Sequence, residues 1–131
     1  MPEILIPIVL LVFVFVAYLF GRDYRARDKA KAIEAGLVLD RIVIELEKFY
    51  FVCGRYPTSD EGLQILTKSA CDHNFTLKPV NLKDPWDTDI SYLPNEKLFL
   101  ITSFGSDGKP GGSGYEKDIV APKALKVLLE K

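Results

Sequence analysis

An uncharged apolar run near the start of the chain limits the folds that are open to it. The seventeen residues 4–20 contain no charged side chain. As a helix they span roughly 25 Å, which is just enough to cross the hydrocarbon core of a bilayer. A cleavable signal peptide would carry a basic region before the run, whereas only Glu3 precedes it. We therefore predict a retained transmembrane anchor with its juxtamembrane segment over residues 1–28, followed by one soluble domain over residues 29–131.

An amphipathic pattern continues the helix beyond the apolar run. Apolar residues recur at spacings of three and four, namely at Ala35, Val38, Ile42, Leu46, Phe49 and Cys53. Side chains at these spacings share one face of a helix. Gly54 follows, and glycine commonly caps the carboxyl end of a helix. The pattern predicts one helix over residues 4–52. Its apolar stripe is longer than a small sheet can cover, so we expect it to serve both packing within the domain and, nearest the membrane, contact with neighbouring subunits.

Shorter elements are predicted after this helix. Thr58 and Glu61 have the spacing of a capping box, in which each side chain accepts a hydrogen bond from the other residue's backbone N–H. Strand-forming residues flank a Pro-Asn-Glu-Lys turn at residues 94–97. The predicted elements are a short helix over residues 60–69, an irregular stretch over 71–89, a hairpin of strands 90–93 and 98–103, and a final helix beginning at Pro122.

Two cysteines, Cys53 and Cys71, bear on the compartment of the soluble domain. They lie at the two ends of the turn and short helix that follow the long helix, and a disulfide across that eighteen-residue separation would stabilise the fold by about 3 kcal/mol. Disulfides persist in oxidising compartments, whereas two buried free thiols are the alternative. Basic residues concentrated at 22–31 favour the cytoplasmic side by the positive-inside rule. These residues alone leave the sidedness of the domain open.

A glycine-rich segment over residues 103–120 is a candidate cation site. Five glycines and Pro110 make it a loop, because glycine permits backbone conformations that other residues avoid. Asp107, Glu116 and Asp118 add three carboxylates, and carboxylate and carbonyl oxygens are the ligands of Ca²⁺. The spacing differs from that of an EF-hand. A solvated surface loop and a Ca²⁺ site are both compatible with this composition.

The overall composition argues against nucleic-acid binding and catalysis. Seventeen basic and eighteen acidic side chains nearly cancel, without the basic face that nucleic acid requires. His73 is the only histidine, and no Ser-His-acid, Cys-His or zinc arrangement surrounds it in the sequence. Asp84, Asp87 and Asp89 are interpreted as turn and capping residues around Pro85. We therefore expect a protein that is not an enzyme.

The order of these motifs resembles one family, the major pseudopilins (protein G) of bacterial type II secretion systems. The similar segments are Gly-Arg-Tyr-Pro-Thr at 54–58, Asp-Glu-Gly-Leu at 60–63, Lys-Asp-Pro-Trp at 83–86, Ser-Phe-Gly-Ser-Asp-Gly at 103–108 and Asp-Ile at 118–119. The resemblance implies an α+β, type IV pilin-like fold. In that fold a long N-terminal helix packs on a small antiparallel sheet that carries a Ca²⁺-binding loop.

The resemblance also implies a set of ligands and partners. The Ca²⁺ ligands would be the side chains of Asp107, Glu116 and Asp118 with the backbone carbonyl of Phe104. The chain would be a single-pass inner-membrane protein whose soluble domain lies in the periplasm, with Cys53 and Cys71 joined. It would assemble with its own copies and with other pilin-like subunits into a short filament that helps to export folded proteins across the outer membrane.

One departure from the family supports an alternative function. Family members begin their helix with Phe-Thr-Leu-Ile-Glu after a basic leader that ends in glycine, and this sequence has neither. A non-polymerising, membrane-anchored accessory protein with a pseudopilin-like Ca²⁺-binding domain is therefore the second hypothesis.

Overall fold

The computed structural model describes residues 2–95 and 97–122. It divides into two compact units, Met1–Ala30 and Lys31–Lys131. We refer to the second unit as the head. The predicted final helix after Pro122 lies outside the described residues.

The first element, helix α1, extends over Pro2–Cys53 and confirms the predicted long helix. Side chains from residue 6 to residue 20 are all exposed. Within Ile6–Cys53 the helix is long and apolar enough to cross a membrane. It ends as expected of a glycine cap, because Gly54 has a φ of 72° and donates its N–H to the Tyr50 carbonyl at 2.8 Å.

The core of the head forms on one face of α1. Leu39, Ile42, Leu46 and Phe49 are completely buried. Burial of a large apolar side chain stabilises a fold by about 1.5–3 kcal/mol, so this face is a major source of stability. The side chains that share the core are Leu63, Leu66, Phe75, Leu77, Leu82, Ile90, Phe99, Ile101 and Ala121.

The predicted helix over residues 60–69 is wrong, although its capping contacts form. The backbone N–H of Thr58 donates to the Glu61 carboxylate at 2.8 Å, and the N–H of Glu61 donates to the Thr58 hydroxyl at 3.3 Å. Gly62 then has a φ of 55° and a ψ of −167°, which no helix accepts. Only a 3₁₀ turn, Leu63–Thr67, follows.

A second contact holds Glu61 outside a helix. The Arg55 guanidinium donates to both Glu61 carboxylate oxygens, at 2.6 and 2.8 Å. This charge-assisted pair lowers the pKa of the Glu61 carboxyl to about 2. The carboxylate therefore joins the end of α1 to the following turn.

Five short strands complete the described chain. They are β1 Ser69–Ala70, β2 His73–Asn74, β3 Ser91–Pro94, β4 Phe99–Ser103 and β5 Ile119–Ala121. The predicted hairpin is confirmed, since β3 and β4 pair antiparallel with Tyr92 opposite Ile101. β5 extends this sheet antiparallel to β4, while β1 and β2 form a separate hairpin. The sequence predicted neither β5 nor the β1–β2 hairpin. The α+β fold with a small antiparallel sheet is as expected.

A disulfide joins Cys53 to Cys71, with the two Cα atoms 5.6 Å apart. The predicted bridge is therefore confirmed, and the alternative of two buried free thiols is removed. Cys71 and Asp72 form the turn of the β1–β2 hairpin with φ values of 52° and 59°. The bridge fixes this hairpin to the last residue of α1.

Removal of the disulfide should lower stability by about 3 kcal/mol, because the reduced chain gains the loop entropy of the closed segment. We expect the double substitution Cys53→Ser, Cys71→Ser to lower the urea midpoint of the full chain in detergent. Dithiothreitol should lower the wild-type midpoint similarly and leave that of the variant unchanged. Equal wild-type midpoints with and without reductant would contradict this expectation.

Candidate metal-binding loop

The candidate site is the loop of residues 104–118, which connects β4 to β5. Its two ends are held together because Ser103 pairs with Ile119 in the sheet. Inside the loop, two 3₁₀ turns, Gly105–Asp107 and Gly114–Glu116, contact each other. The loop is thus folded back on itself.

Two glycines make this close packing possible. Gly105 is buried, with a φ of 67°, and a Cβ added there would lie 2.7 Å from the backbone of Tyr115 and Glu116. A Cβ added at Gly112, whose φ is 83°, would lie 2.5 Å from the Glu116 carbonyl oxygen. The loop therefore closes around the backbone carbonyls of Tyr115 and Glu116, and no residue larger than glycine fits at positions 105 and 112.

The predicted ligand side chains occupy different environments in this loop. Asp118 is half-buried, and its Oδ2 accepts the Gly111 N–H at 3.0 Å. Its Oδ1 is buried and has no hydrogen-bond partner. The exposed Asp107 accepts the N–H of Lys109 at 3.1 Å. Glu116 is also exposed, and only its backbone N–H has a described bond, to the Ser113 carbonyl at 3.1 Å.

These positions determine what the loop can bind. Across the described ranges, no three His, Cys, Asp or Glu side chains converge as a ready metal cluster. The unpartnered Oδ1 of Asp118 is nevertheless a buried acceptor, and leaving such an atom unsatisfied costs about 1–3 kcal/mol. A hard cation fits this acceptor, because the available donors are carboxylate and backbone oxygens. Phe104, whose carbonyl is the fourth predicted ligand, immediately precedes the first 3₁₀ turn.

A buried aspartate supports the loop from the neighbouring turn. Asp84 accepts the backbone N–H groups of Trp86 and Thr88 at 3.0 and 2.9 Å through Oδ1. The turn role predicted for Asp84 is therefore confirmed. No sequence pattern indicates its second contact, in which Oδ2 accepts a hydrogen bond from the Ser103 hydroxyl at 2.7 Å.

The only histidine lies in the β1–β2 hairpin and makes a packing contact. The His73 ring meets the Phe75 ring edge-on, with centroids 5.0 Å apart. The aromatic residues Tyr56 and Tyr92 likewise pack against the core.

A second candidate surface lies on α1, opposite the core. The exposed residues Ile33, Leu37, Ile44 and Phe51 are separated by four, seven and seven positions and so share one helix face. We call this face the outer stripe. Phe51 is 89% exposed.

Two opposite charges border the outer stripe. Asp40 and Arg41 are both exposed, and neither belongs to an ion pair within the described part of the chain. The outer stripe thus combines an apolar centre with an acidic and a basic group that are available to a partner.

Comparisons with known proteins agree with each other. A family model described as type II secretion system (T2SS), protein G, matches residues 23–122. Type II secretion system core protein G of Xanthomonas campestris pv. campestris is 33% identical over 122 residues, covering 89% of this chain and 83% of that protein. The crystal structure of the major pseudopilin from the type 2 secretion system of enterohaemorrhagic Escherichia coli matches with a TM-score of 0.58 and 25% identity. That match covers 73% of this chain and 90% of the other.

The glycine packing gives a prediction that is independent of any metal. Gly105→Ala should lower the unfolding free energy by about 3 kcal/mol or more, because left-handed strain adds to a backbone clash. Gly114 has a similar φ of 59° with nothing within 4 Å of an added Cβ, so Gly114→Ala is the matched control. It should cost about 1 kcal/mol. Urea denaturation in the presence of chelator measures both, and equal losses would contradict the proposed close packing.

Proposed function

The chain belongs to the type II secretion system protein G family, and we propose that its copies assemble in the periplasm into a short filament that helps to export folded proteins across the outer membrane. The chain is a pseudopilin, and the fold agrees with that of a solved major pseudopilin. The match over residues 23–122 carries this conclusion. A non-polymerising accessory role is not favoured, because every comparison returns the secretion-system protein.

The disulfide supports a periplasmic head. Cys53 and Cys71 are joined, and such bridges persist in oxidising compartments. The basic residues at 22–31 favour the opposite orientation. We give the bridge more weight, because it contributes to the stability of the head itself. Residues 1–28 then anchor the chain in the inner membrane.

We assign the outer stripe to contact with a second copy of the chain. The stripe predicted from the sequence to serve both packing and assembly contains Val38, Ile42, Leu46 and Phe49. The last three are completely buried in the core, so they are unavailable to a neighbouring subunit. The outer stripe is the apolar face of the same helix that the head leaves exposed, and apolar faces of this kind are typical of interaction sites.

Anchoring and charge both favour a parallel copy as the occupant. Chains inserted through the same N-terminal segment have the same direction relative to the membrane. Residues at positions 37, 44 and 51 repeat every seven positions, which suits the packing of parallel helices. Asp40 of one copy can then face Arg41 of its neighbour, because both side chains border the stripe and lack an ion-pair partner in the described residues.

Cysteine crosslinking tests this contact in membranes that contain the full chain. Leu37→Cys and Ile44→Cys should each give oxidation-dependent dimers, because these positions meet their counterparts in a neighbouring copy. Val80→Cys is the matched control, since Val80 is 70% exposed but lies outside α1. Equal crosslinking at all three positions, or none at the stripe with normal expression, would contradict the assignment.

The charge pair has its own test in the same assay. Asp40→Arg should weaken crosslinking through Ile44→Cys by placing like charges together. The further substitution Arg41→Asp should restore it by reversing the pair. If Arg41→Asp does not restore crosslinking, the proposed ion pair is wrong, while the apolar contact through the outer stripe is unaffected.

We propose further that the loop of residues 104–118 binds Ca²⁺. Asp118 would be the principal side-chain ligand, since its buried Oδ1 has no partner. Asp107, Glu116 and the carbonyl of Phe104 would supply the remaining protein oxygens. The bound cation would offset most of the repulsion among the three carboxylates, while Gly105 and Gly112 keep the loop folded around the Glu116 backbone. Glu116 would contribute least, because its side chain is exposed and one methylene longer than aspartate.

Ca²⁺ should raise the thermal stability of the full chain in detergent relative to chelator. Binding to the folded state alone adds about 2.7 kcal/mol when free Ca²⁺ is a hundred times the dissociation constant. Asp107→Ala and Asp118→Ala should abolish the increase, and Glu116→Ala should reduce it. Asp60→Ala, at an exposed carboxylate outside the loop, should leave it unchanged. Identical wild-type midpoints with Ca²⁺ and chelator would exclude the site.

A further inference from the structure

We propose that Asp84 is a positioning residue for the metal-binding loop. This inference rests on the proposed Ca²⁺ site. Asp84 is not a ligand in this proposal. Its carboxylate holds residues 84–88 in the conformation against which the ligand-bearing segment of residues 103–108 is set.

Asp84 organises the turn of residues 84–88 through its side chain and its backbone. Oδ1 of Asp84 accepts the N–H groups of Trp86 and Thr88, and the Asp84 backbone N–H donates to the Thr88 carbonyl at 2.8 Å. The N–H of Asp87 donates in turn to the Asp84 carbonyl at 3.0 Å. These four bonds define a rigid turn in which one side-chain oxygen satisfies two backbone donors.

This turn contacts both ends of the 103–108 segment. Oδ2 of Asp84 accepts the hydroxyl of Ser103, a residue that is completely buried. At the other end, the Thr88 side chain lies against Gly108, where an added Cβ would be 3.3 Å from the Thr88 Oγ1. The predicted ligands Phe104 and Asp107 lie between these two contacts.

Ser103 also connects Asp84 to the other arm of the loop. It pairs with Ile119, which directly follows Asp118. Asp84 therefore accepts a hydrogen bond from Ser103, the residue at which the two arms of the loop meet. A shift of Ser103 would displace the Phe104 carbonyl on one arm and Asp118 on the other.

The buried charge explains why this position needs a carboxylate. Asp84 is only 5% exposed, and no ion pair among the described residues includes it. An asparagine would satisfy Trp86 and Thr88 with its single oxygen, without the cost of burying a charge. The second carboxylate oxygen adds the strong charge-assisted bond to Ser103. The buried charge is therefore explained by the bond that it makes between the turn and the loop.

The test compares Ca²⁺ affinity with stability in the absence of metal. Isothermal titration calorimetry on the full chain in detergent gives the Ca²⁺ dissociation constant, and thermal unfolding in chelator gives metal-free stability. Asp84→Asn should raise the dissociation constant by about ten-fold to a hundred-fold, the usual effect of losing a residue that orients metal ligands. Ser103→Ala, which removes only the hydroxyl, should raise it in the same direction and remains useful if Asp84→Asn folds poorly.

Tyr92→Phe is the matched control for loss of a half-buried hydrogen bond outside the loop. It removes the bond from the Tyr92 hydroxyl to the Pro57 carbonyl, which measures 2.9 Å. The variant should unfold earlier in chelator and keep the wild-type dissociation constant. The double variant Asp84→Asn, Ser103→Ala should bind Ca²⁺ no more weakly than the weaker single variant, because each change removes the same charge-assisted bond from the Ser103 hydroxyl to the Asp84 carboxylate.

The outcomes separate this inference from the calcium proposal. If the wild-type chain binds Ca²⁺ and the dissociation constants of Asp84→Asn and Ser103→Ala equal that of the wild type, the positioning role is wrong and the Ca²⁺ site stands. If these two variants unfold earlier in chelator but keep the wild-type Ca²⁺ affinity, Asp84 supports the fold and does not position the ligands. Absence of Ca²⁺ binding by the wild-type chain would overturn both proposals together.

Discussion

Burial of one face of α1 governs the arrangement of the head. Leu39, Ile42, Leu46 and Phe49 are completely buried, and an isolated helix has no means of covering them. The later segments of the chain therefore each supply apolar side chains to this face. Phe75 packs on Phe49 with ring centroids 5.2 Å apart. The disulfide then holds the end of the helix to the β1–β2 hairpin, which keeps this covering layer in place.

The elements that the sequence predicts correctly are those whose signals are local. α1 follows from apolar spacing, and the β3–β4 hairpin follows from strand formers around a turn. The helix over residues 60–69 fails although its capping box forms, because Gly62 leaves the helical conformation and Arg55 also holds Glu61. β5 has only three residues and forms because it pairs with β4, so its sequence is too short to show the periodicity of a strand.

The candidate site shows the same division between local and distant information. Residue types alone identify the loop and its carboxylates. They do not rank Asp118 above Asp107 or Glu116, because that difference depends on burial, and burial depends on how the loop folds over Gly105 and Gly112. The contact of Asp84 with Ser103 joins residues nineteen positions apart and leaves no pattern in either segment.

The loop is nevertheless connected to the core through β5. Closing a flexible segment of this length has an entropic cost, and the glycines increase it by widening the range of unfolded conformations. The closed loop fixes the register in which Ile119 and Ala121 pair with β4, and Ala121 belongs to the buried core. Any interaction that orders the loop therefore also stabilises the last strand against α1. The buried face of α1 and the proposed cation site are thus thermodynamically coupled, although no ligand needs to touch the helix.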